Sequence, residues 1–205
     1  MRIHHTRCAT RPLALLLFTL GAGCASTSLQ GVWKTPDTGG KVNKVLVIGL
    51  TRSDTGRRAL ERQFVSHFSQ HKTQAVDSSH FQPDGAKLDR AMIGEIIKRE
   101  GFDAVLLSRL VDVHKEAHYV PSGYATYGGA GFYGYYGYAW PGVYSPGYVS
   151  ESTNVQVETQ LFRTAGEGKL VWSTISETVD PSGIDDAAGG IAGAVVGRLA
   201  EDKVL

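Results

Sequence analysis

The sequence predicts an α/β (α+β) domain, a mixed sheet of about five strands with helices packed on it, in the order β-α-β-α-β-(Gly/Tyr-rich loop)-β-β-α. Three observations predict it. Two short continuous apolar runs, Val45-Leu-Val-Ile48 and Ala104-Val-Leu-Leu107, have the character of central strands covered on both faces. Between them, apolar residues recur at helical spacing. A later segment alternates apolar and polar residues and is followed at once by a second of the same kind, as in a hairpin.

Val45–Ile48 is bounded by Gly49, and a helix over 54–71 comes next, with Leu60, Phe64 and Phe68 four apart and Val65 alongside. Ser53 or Asp54 can cap its start, and His71 or Lys72 suits its negative end. A short strand spans about 73–76, then the Gln82-Pro-Asp-Gly85 turn. Leu88, Met92, Ile93, Ile96 and Ile97 form the apolar side of a second helix, which Gly101 is placed to end. The strand opened by Ala104 runs on to about Ala117. Thr153, Val155, Val157, Thr159 and Leu161 then alternate with polar neighbours, Ala165–Gly168 makes the turn, and 170–179 is the partner strand, with Trp172 on one face. Asp180-Pro181-Ser182 starts a last helix, Asp185 and Asp186 lie near its positive end, and Ile184, Ala188, Ile191, Val195 and Leu199 are its stripe. Gly189, Gly190, Gly193 and Gly197 each weaken that helix by about 1 kcal/mol relative to Ala, a loss that close packing on the sheet can offset. The Gly193-x-x-x-Gly197 spacing resembles a membrane dimerisation motif, but Asp186, Arg198 and Glu201 keep this helix out of lipid.

The amino terminus has a different character. Arg2, Arg7 and Arg11 precede Leu13-Ala-Leu-Leu-Leu-Phe-Thr-Leu20, an apolar run too short to span a bilayer. Gly21-Ala22-Gly23-Cys24 follows and resembles the lipobox of bacterial lipoprotein precursors, with Gly21 where Leu is usual and Leu20 one place further back. The resemblance implies a signal peptide at 1–23, cleavage before Cys24 and lipid on that cysteine; ordinary secretion with cleavage near Ala25 is the alternative. Ala25 stands where an inner-membrane retention signal would place Asp, so the expected location is the outer membrane, lipid-anchored, facing the periplasm. Residues 24–41, rich in Ser, Thr, Gly and Pro, read as a lipidated tether, with Trp33 as a buried edge residue or a binding residue. Residues 42–205 read as one domain, with a Gly/Tyr-rich insertion at 119–149.

Composition limits the chemistry. The formal charge of +1 includes the three leader arginines; without them 18 basic side chains face 20 acidic ones, and no basic run longer than a pair such as Arg57-Arg58 offers a face for nucleic acid. Cys8 leaves with the signal peptide and Cys24 carries lipid, so the mature domain has no disulfide and must rely on its core. Gly49 and Gly56 lack Walker spacing, and the strand ends near Thr51–Gly56 are the one other place for a small ligand. No G-x-S-x-G elbow or free thiol offers a nucleophile. His67 and His71 share a helix face without the Glu of a zinc-protease helix; they read as flanking the apolar stripe. His114 and His118 share a strand face with Asp112 and Glu116 and read as solvated strand residues. The expectation is a protein with no catalytic residues, cofactor or metal.

Residues 119–148 depart most from an ordinary domain. They hold all nine tyrosines, Phe132, Trp140 and eight glycines, and no Asp, Glu, Lys or Arg lies between Glu116 and Glu151. So much Gly with so few aliphatic residues suits a mobile loop rather than core. Three functional readings stand beside that one: stacking on sugars or partner side chains, self-association, and contact with lipid headgroups. A membrane-spanning hairpin fits the length but not the composition, because Pro141 and Pro146 interrupt pairing. Tyr133, Tyr135, Tyr136, Tyr138 and Trp140 are the candidate contact surface.

Val45-Leu-Val-Ile-Gly49, Arg57-Arg-Ala-Leu-Glu61, Gly101-Phe-Asp-Ala-Val-Leu106 and Gly168-Lys-Leu-Val-Trp172-Ser173 resemble uncharacterised bacterial envelope lipoproteins. Their domain is similar to the curli-export lipoprotein and to the amino-terminal domain of the Tol-system propeller protein. The resemblance implies a non-catalytic role in envelope assembly, transport or upkeep, with the membrane as one partner through Cys24 and an envelope protein or glycan as another, and no nucleic acid. Oligomers are compatible with it. Its alternatives are a subunit of an oligomeric export pore and a small-ligand-binding envelope protein.

Overall fold

The computed structural model describes residues 26–82, 88–120, 132–136, 148–166 and 168–205. Six strands form one mixed sheet: β1 (Ser26–Lys34), β2 (Lys44–Leu50), β3 (Gln74–Asp77), β4 (Ala104–Val120), β5 (Tyr148–Arg163) and β6 (Lys169–Val179), in the spatial order β1-β6-β5-β4-β2-β3. β2 runs parallel to β3 and β4, and the remaining neighbours are antiparallel. Helices α1 (Asp54–Phe68), α2 (Arg90–Glu100) and α3 (Ile184–Glu201) cover the sheet.

The buried runs alternate as expected of strands covered on both sides. Val45, Val47, Ala104 and Leu106 join Leu161, Trp172, Phe64, Phe68, Ile191 and Leu199 in the main core under α1 and α3. Leu46 and Ile48 turn the other way, to Ile96 and Phe102 beneath α2. No described helix covers the α2 face of β5, β6 and β1, where Ile175 and Val179 are exposed.

Capping fixes the helix ends. The Ser53 Oγ accepts from Gly56 N, and the Asp89 carboxylate accepts from Met92 N at 2.8 Å. Gly101 closes α2 at φ 70°, in the left-handed region the sequence led one to expect. α1 ends at Phe68, earlier than expected, and a 3-10 turn carries the chain through Ser69–His71. α3 begins at Ile184, whose side chain is exposed and not part of the stripe as expected; the Asp186 carboxylate accepts from Ser182 N instead.

The largest departure is at the amino end. The segment expected to be a tether at 24–41 contains a nine-residue strand, β1, paired with β6 from Ser26↔Val179 to Lys34↔Trp172. Trp33, read as a buried edge residue or a binding residue, is not buried: it is about half exposed on that strand (48%). Residues after β1 are also fastened to the domain: the guanidinium of Arg163 donates to the carbonyls of Thr38, Gly40 and Lys41. The Gln82–Gly85 turn falls largely outside the described residues.

Two of the α3 glycines differ in a way that can be tested. A Cβ on Gly190 would collide with Thr27 Oγ1, whereas one on Gly197 would meet nothing among the described residues within 4 Å. Gly197→Ala is therefore expected to raise stability by about 0.5–1 kcal/mol through helix propensity. Gly190→Ala should gain nothing, because the added methyl displaces the Thr27 hydroxyl from its 2.9 Å bond with Thr178. Equal gains in urea denaturation would disprove close packing of α3 on β1.

Candidate functional site

β4 and β5 are 17 and 16 residues long, more than twice the length of β2, and they outrun the sheet. β6 pairs with β5 only as far as Asn154↔Val179, where Asp180 turns away and closes the junction through Asp180 N to Thr153 O and Thr153 N to the Asp180 carboxylate. Beyond that clamp, pairing continues between β4 and β5 alone, from Glu116↔Ser152 to Val120↔Tyr148. The result is a two-stranded ribbon that takes in residues at both ends of the expected insertion. Such a ribbon is at best marginally stable in water by itself.

A bulge positions the side chains at its root. The β4–β5 register shifts between Leu110 and Asp112, so Val111 is an extra residue. A one-residue slip exchanges the faces of a strand. Before the bulge, even-numbered Leu106 and Ser108 are buried; after it, Asp112, His114 and Glu116 lie on the opposite face and Val113 pairs with Val155. His114 Nδ1 is 2.9 Å from an Asp112 oxygen and Nε2 is 3.2 Å from a Glu116 oxygen, while His118 Nε2 is 3.3 Å from the other Glu116 oxygen. The sequence places these four together, and the structure does so. Among the described residues no group of three or more His, Cys, Asp or Glu side chains is arranged to hold a metal ion.

Two carboxylates around one imidazole favour its doubly protonated form, in which both ring nitrogens donate. The Glu116 hydrogen bond is the main cause that holds the His114 pKa above its ordinary value, opposed by partial burial and helped by Asp112. Opposite His114, Asn154 is buried, and its Oδ1 has no hydrogen-bond partner among the described residues while Nδ2 lies 3.5 Å from His114 Nε2. Exchanging the amide O and N, which are alike in shape, would turn an acceptor to the imidazolium. A raised histidine pKa stabilises the fold fully below the unfolded value, and this contribution is lost as pH rises through the folded value. Proton NMR titration is expected to put the His114 midpoint above that of unfolded histidine, with Glu116→Gln lowering it more than Asp112→Asn. A midpoint unmoved by Glu116→Gln would exclude this arrangement.

The ribbon strands are joined through residues 121–147, of which 132–136 are described as a short helical turn. Phe132, Tyr133, Tyr135 and Tyr136 are all exposed there, Tyr133 at 87%, and Phe132 stacks on Tyr136 with ring centroids 6.0 Å apart. Cys24, Tyr138 and Trp140 lie outside the described residues.

The strand ends near Thr51–Gly56, the other place considered for a ligand, are filled by the protein's own groups. Hydrogen bonds from Arg57 and then Arg58 hold the Asp54 carboxyl below its usual range. Asp54 thus occupies the positive end of α1 where an anion would sit. Behind it Glu61, fully buried, accepts from Gly49 N at 2.9 Å, Ser78 Oγ at 2.6 Å and Arg57 Nη1 at 3.3 Å. This network was not anticipated from the sequence. Arg57 and Glu61 at i,i+4 look like any solvated helix pair.

Fold and ribbon together define a class: a mixed-sheet domain with helices on both faces, whose two longest strands continue into an aromatic-bearing ribbon. No family model matches the chain, and no curated protein does. Among solved structures it is similar to the PelC dodecamer from Paraburkholderia phytofirmans, at a TM-score of 0.48 and 13% identity, over 85% of this chain and 97% of that one. A single-substitution variant of that dodecamer gives a TM-score of 0.46 and 12% identity, over 84% of this chain and 96% of the other. Likeness at that level carries nothing about activity or assembly.

Proposed function

We propose that the chain is a lipid-anchored envelope protein with a non-catalytic contact role, in which the domain is the scaffold and the ribbon with its aromatic connection is the contact element. The observation that carries this reading is the ribbon itself: two strands that leave the sheet, pair with no helix or third strand among the described residues, and are joined by a segment with exposed aromatic rings at 132–136. Rings left in water are costly unless a partner covers them. The anchor rests on the leader and on Gly21-Ala22-Gly23-Cys24. The outer membrane, on its periplasmic side, is the proposed location.

Mass spectrometry of the mature amino terminus tests the anchor. A diacylated, acylated Cys24 is expected; an unmodified terminus at another residue, or a Cys24→Ser protein that still sediments with membranes, rules it out. Replacing 116–152 by a short Gly-Ser turn tests the ribbon. The melting temperature should stay within a few degrees, because loop-closure entropy changes by only about 0.6 kcal/mol per doubling of length, while the contact is lost. Unfolding of that variant would mean that the connection is core.

The outer edges of the ribbon, unpaired among the described residues, favour a second reading, a subunit of an oligomeric export pore, since free edges recruit further strands. Mass in detergent separates the two: a large ring supports the pore, and a monomer or small oligomer the accessory protein.

A further inference from the structure

We infer that the ribbon makes its contact with the headgroup layer of the same membrane that holds the lipid, an inference that rests on the Cys24 anchor proposed above. Register across the sheet supplies the geometry. Ser26, first residue of β1, lies opposite Val179 of β6; Val179 lies opposite Asn154 of β5; and Asn154 lies opposite His114 of β4. These four residues form one line across the end of the sheet, and the ribbon is what continues past it. Cys24 stands two residues before Ser26, and two residues of extended chain reach at most about 7 Å. No spacer lifts the domain from the bilayer. The acyl chains instead draw down the very end of the sheet from which the ribbon leaves.

Dimensions then set the depth of contact. Three strand spacings, about 14–15 Å, separate β1 from β4, and six residues carry the ribbon about 20 Å past the line. A segment of that length, leaving on the anchored side, meets the headgroups. Its chemistry suits that depth and no greater one. The stem is polar, with Lys115 and Glu151 3.6 Å apart and Glu116 beside His118, and such groups are costly in hydrocarbon. Past the stem, no Asp, Glu, Lys or Arg occurs until Glu151, and tyrosines dominate. Rings with one polar edge settle at the boundary between headgroups and acyl chains. Strand twist of roughly 20–25° per step turns the ribbon away from the direction of β1, which suits a ribbon lying along the surface. The Ala165 turn between β5 and β6 is at the far end of the sheet.

The test uses the mature lipidated protein in phosphatidylethanolamine–phosphatidylglycerol vesicles. Lipid occupies the sulfur of Cys24, so an introduced cysteine is the one free thiol. Bimane is placed on Tyr133→Cys, or on Ala165→Cys as the control, and some lipids carry a nitroxide near the headgroup. The expected result is loss of most of the bimane emission at 133 and retention at 165. If the protein floats with vesicles but both labels keep their emission and are quenched alike by aqueous iodide, the inference is wrong and the anchor stands. Shielding of the label at 133 from iodide in unlipidated Cys24→Ser protein made without residues 1–23, in the absence of vesicles, would assign the contact to a second copy of the chain and also overturn it. If no protein floats, the anchor fails and takes the inference with it.

Discussion

Glu61→Ala is expected to cost about 3–5 kcal/mol of folding stability, the range for breaking a buried charge pair by removing one partner. The carboxylate has no exposure to solvent, and both of its oxygens are used: one accepts from Gly49 N and Ser78 Oγ, the other from Arg57. Its removal leaves a backbone N–H and a hydroxyl inside the protein without acceptors, at about 1–3 kcal/mol each. It also removes one partner of Arg57, whose side chain is only 12% exposed. The site cannot relax easily. Gly49 is already so close to α1 that a Cβ there would lie 3.2 Å from Arg57 Cγ. Glu61→Gln keeps the acceptor toward Gly49 and Ser78 but presents an amide N–H₂ toward Arg57, and should fall between wild type and Ala. Urea denaturation measures both. A loss below about 1 kcal/mol for Glu61→Ala, the size of an average substitution, would show that the network is not holding β2, α1 and the Ser78 turn together. Because Glu61 and Ser78 share a bond, Ser78→Ala should add little in the Glu61→Ala background, and full additivity would count against the same idea.

What sequence could and could not show divides along local and nonlocal lines. The Val45–Ile48 run, the Ser53 cap, Gly101 and the β5–β6 turn depend on a few adjacent residues, and they appear where expected. β1 does not announce itself. Its apolar residues are Leu29, Val32 and Trp33, and the register shift between Gln30 and Trp33, with Gly31 at φ 58°, breaks the two-residue period by which a strand is recognised. Its identity comes from pairing with β6, about 150 residues away in sequence. The ribbon is hidden for the same reason. Tyr148–Ser152 continues β5 because β4 lies beside it, and the Val111 bulge that turns Asp112, His114 and Glu116 to one face is visible only as a register shift. Glu61 belongs to this group too, since what buries it is the turn at Ser78, brought over α1 by β3. The grouping of His114 with its carboxylates is the one part of the site that strand spacing supplied directly, and the aromatic composition of 132–136 supplied the exposed rings.

Trp172→Ala should be comparably damaging, at about 3–5 kcal/mol. Trp172 is the largest fully buried side chain among the described residues, placed opposite Leu161 on β5 and Lys34 on β1. Truncation opens a cavity between sheet and α3, and the rigid sheet around it limits collapse. The indole also has a polar task. Nε1 donates to the Asp202 carboxylate at 2.8 Å, just beyond the end of α3, where Arg198 reaches the same oxygen at 3.2 Å. Burial by itself would raise the Asp202 pKa, but the Trp172 and Arg198 hydrogen bonds, with the charges of Arg198 and Lys34, outweigh it and leave the group below its ordinary value. A carboxyl with a lowered folded pKa stabilises the protein above its unfolded pKa, and that contribution disappears as pH falls through the folded value. Trp172→Phe separates the two effects. It keeps most of the ring volume, loses the bond to a charged acceptor, worth about 1.5–3 kcal/mol, and should flatten the fall in stability on acidification below the ordinary aspartate range. Stability measured against pH for wild type, Trp172→Phe and Trp172→Ala provides the check. If Trp172→Phe keeps both full stability and the wild-type acid slope, the indole N–H is not what secures the end of α3 to the sheet.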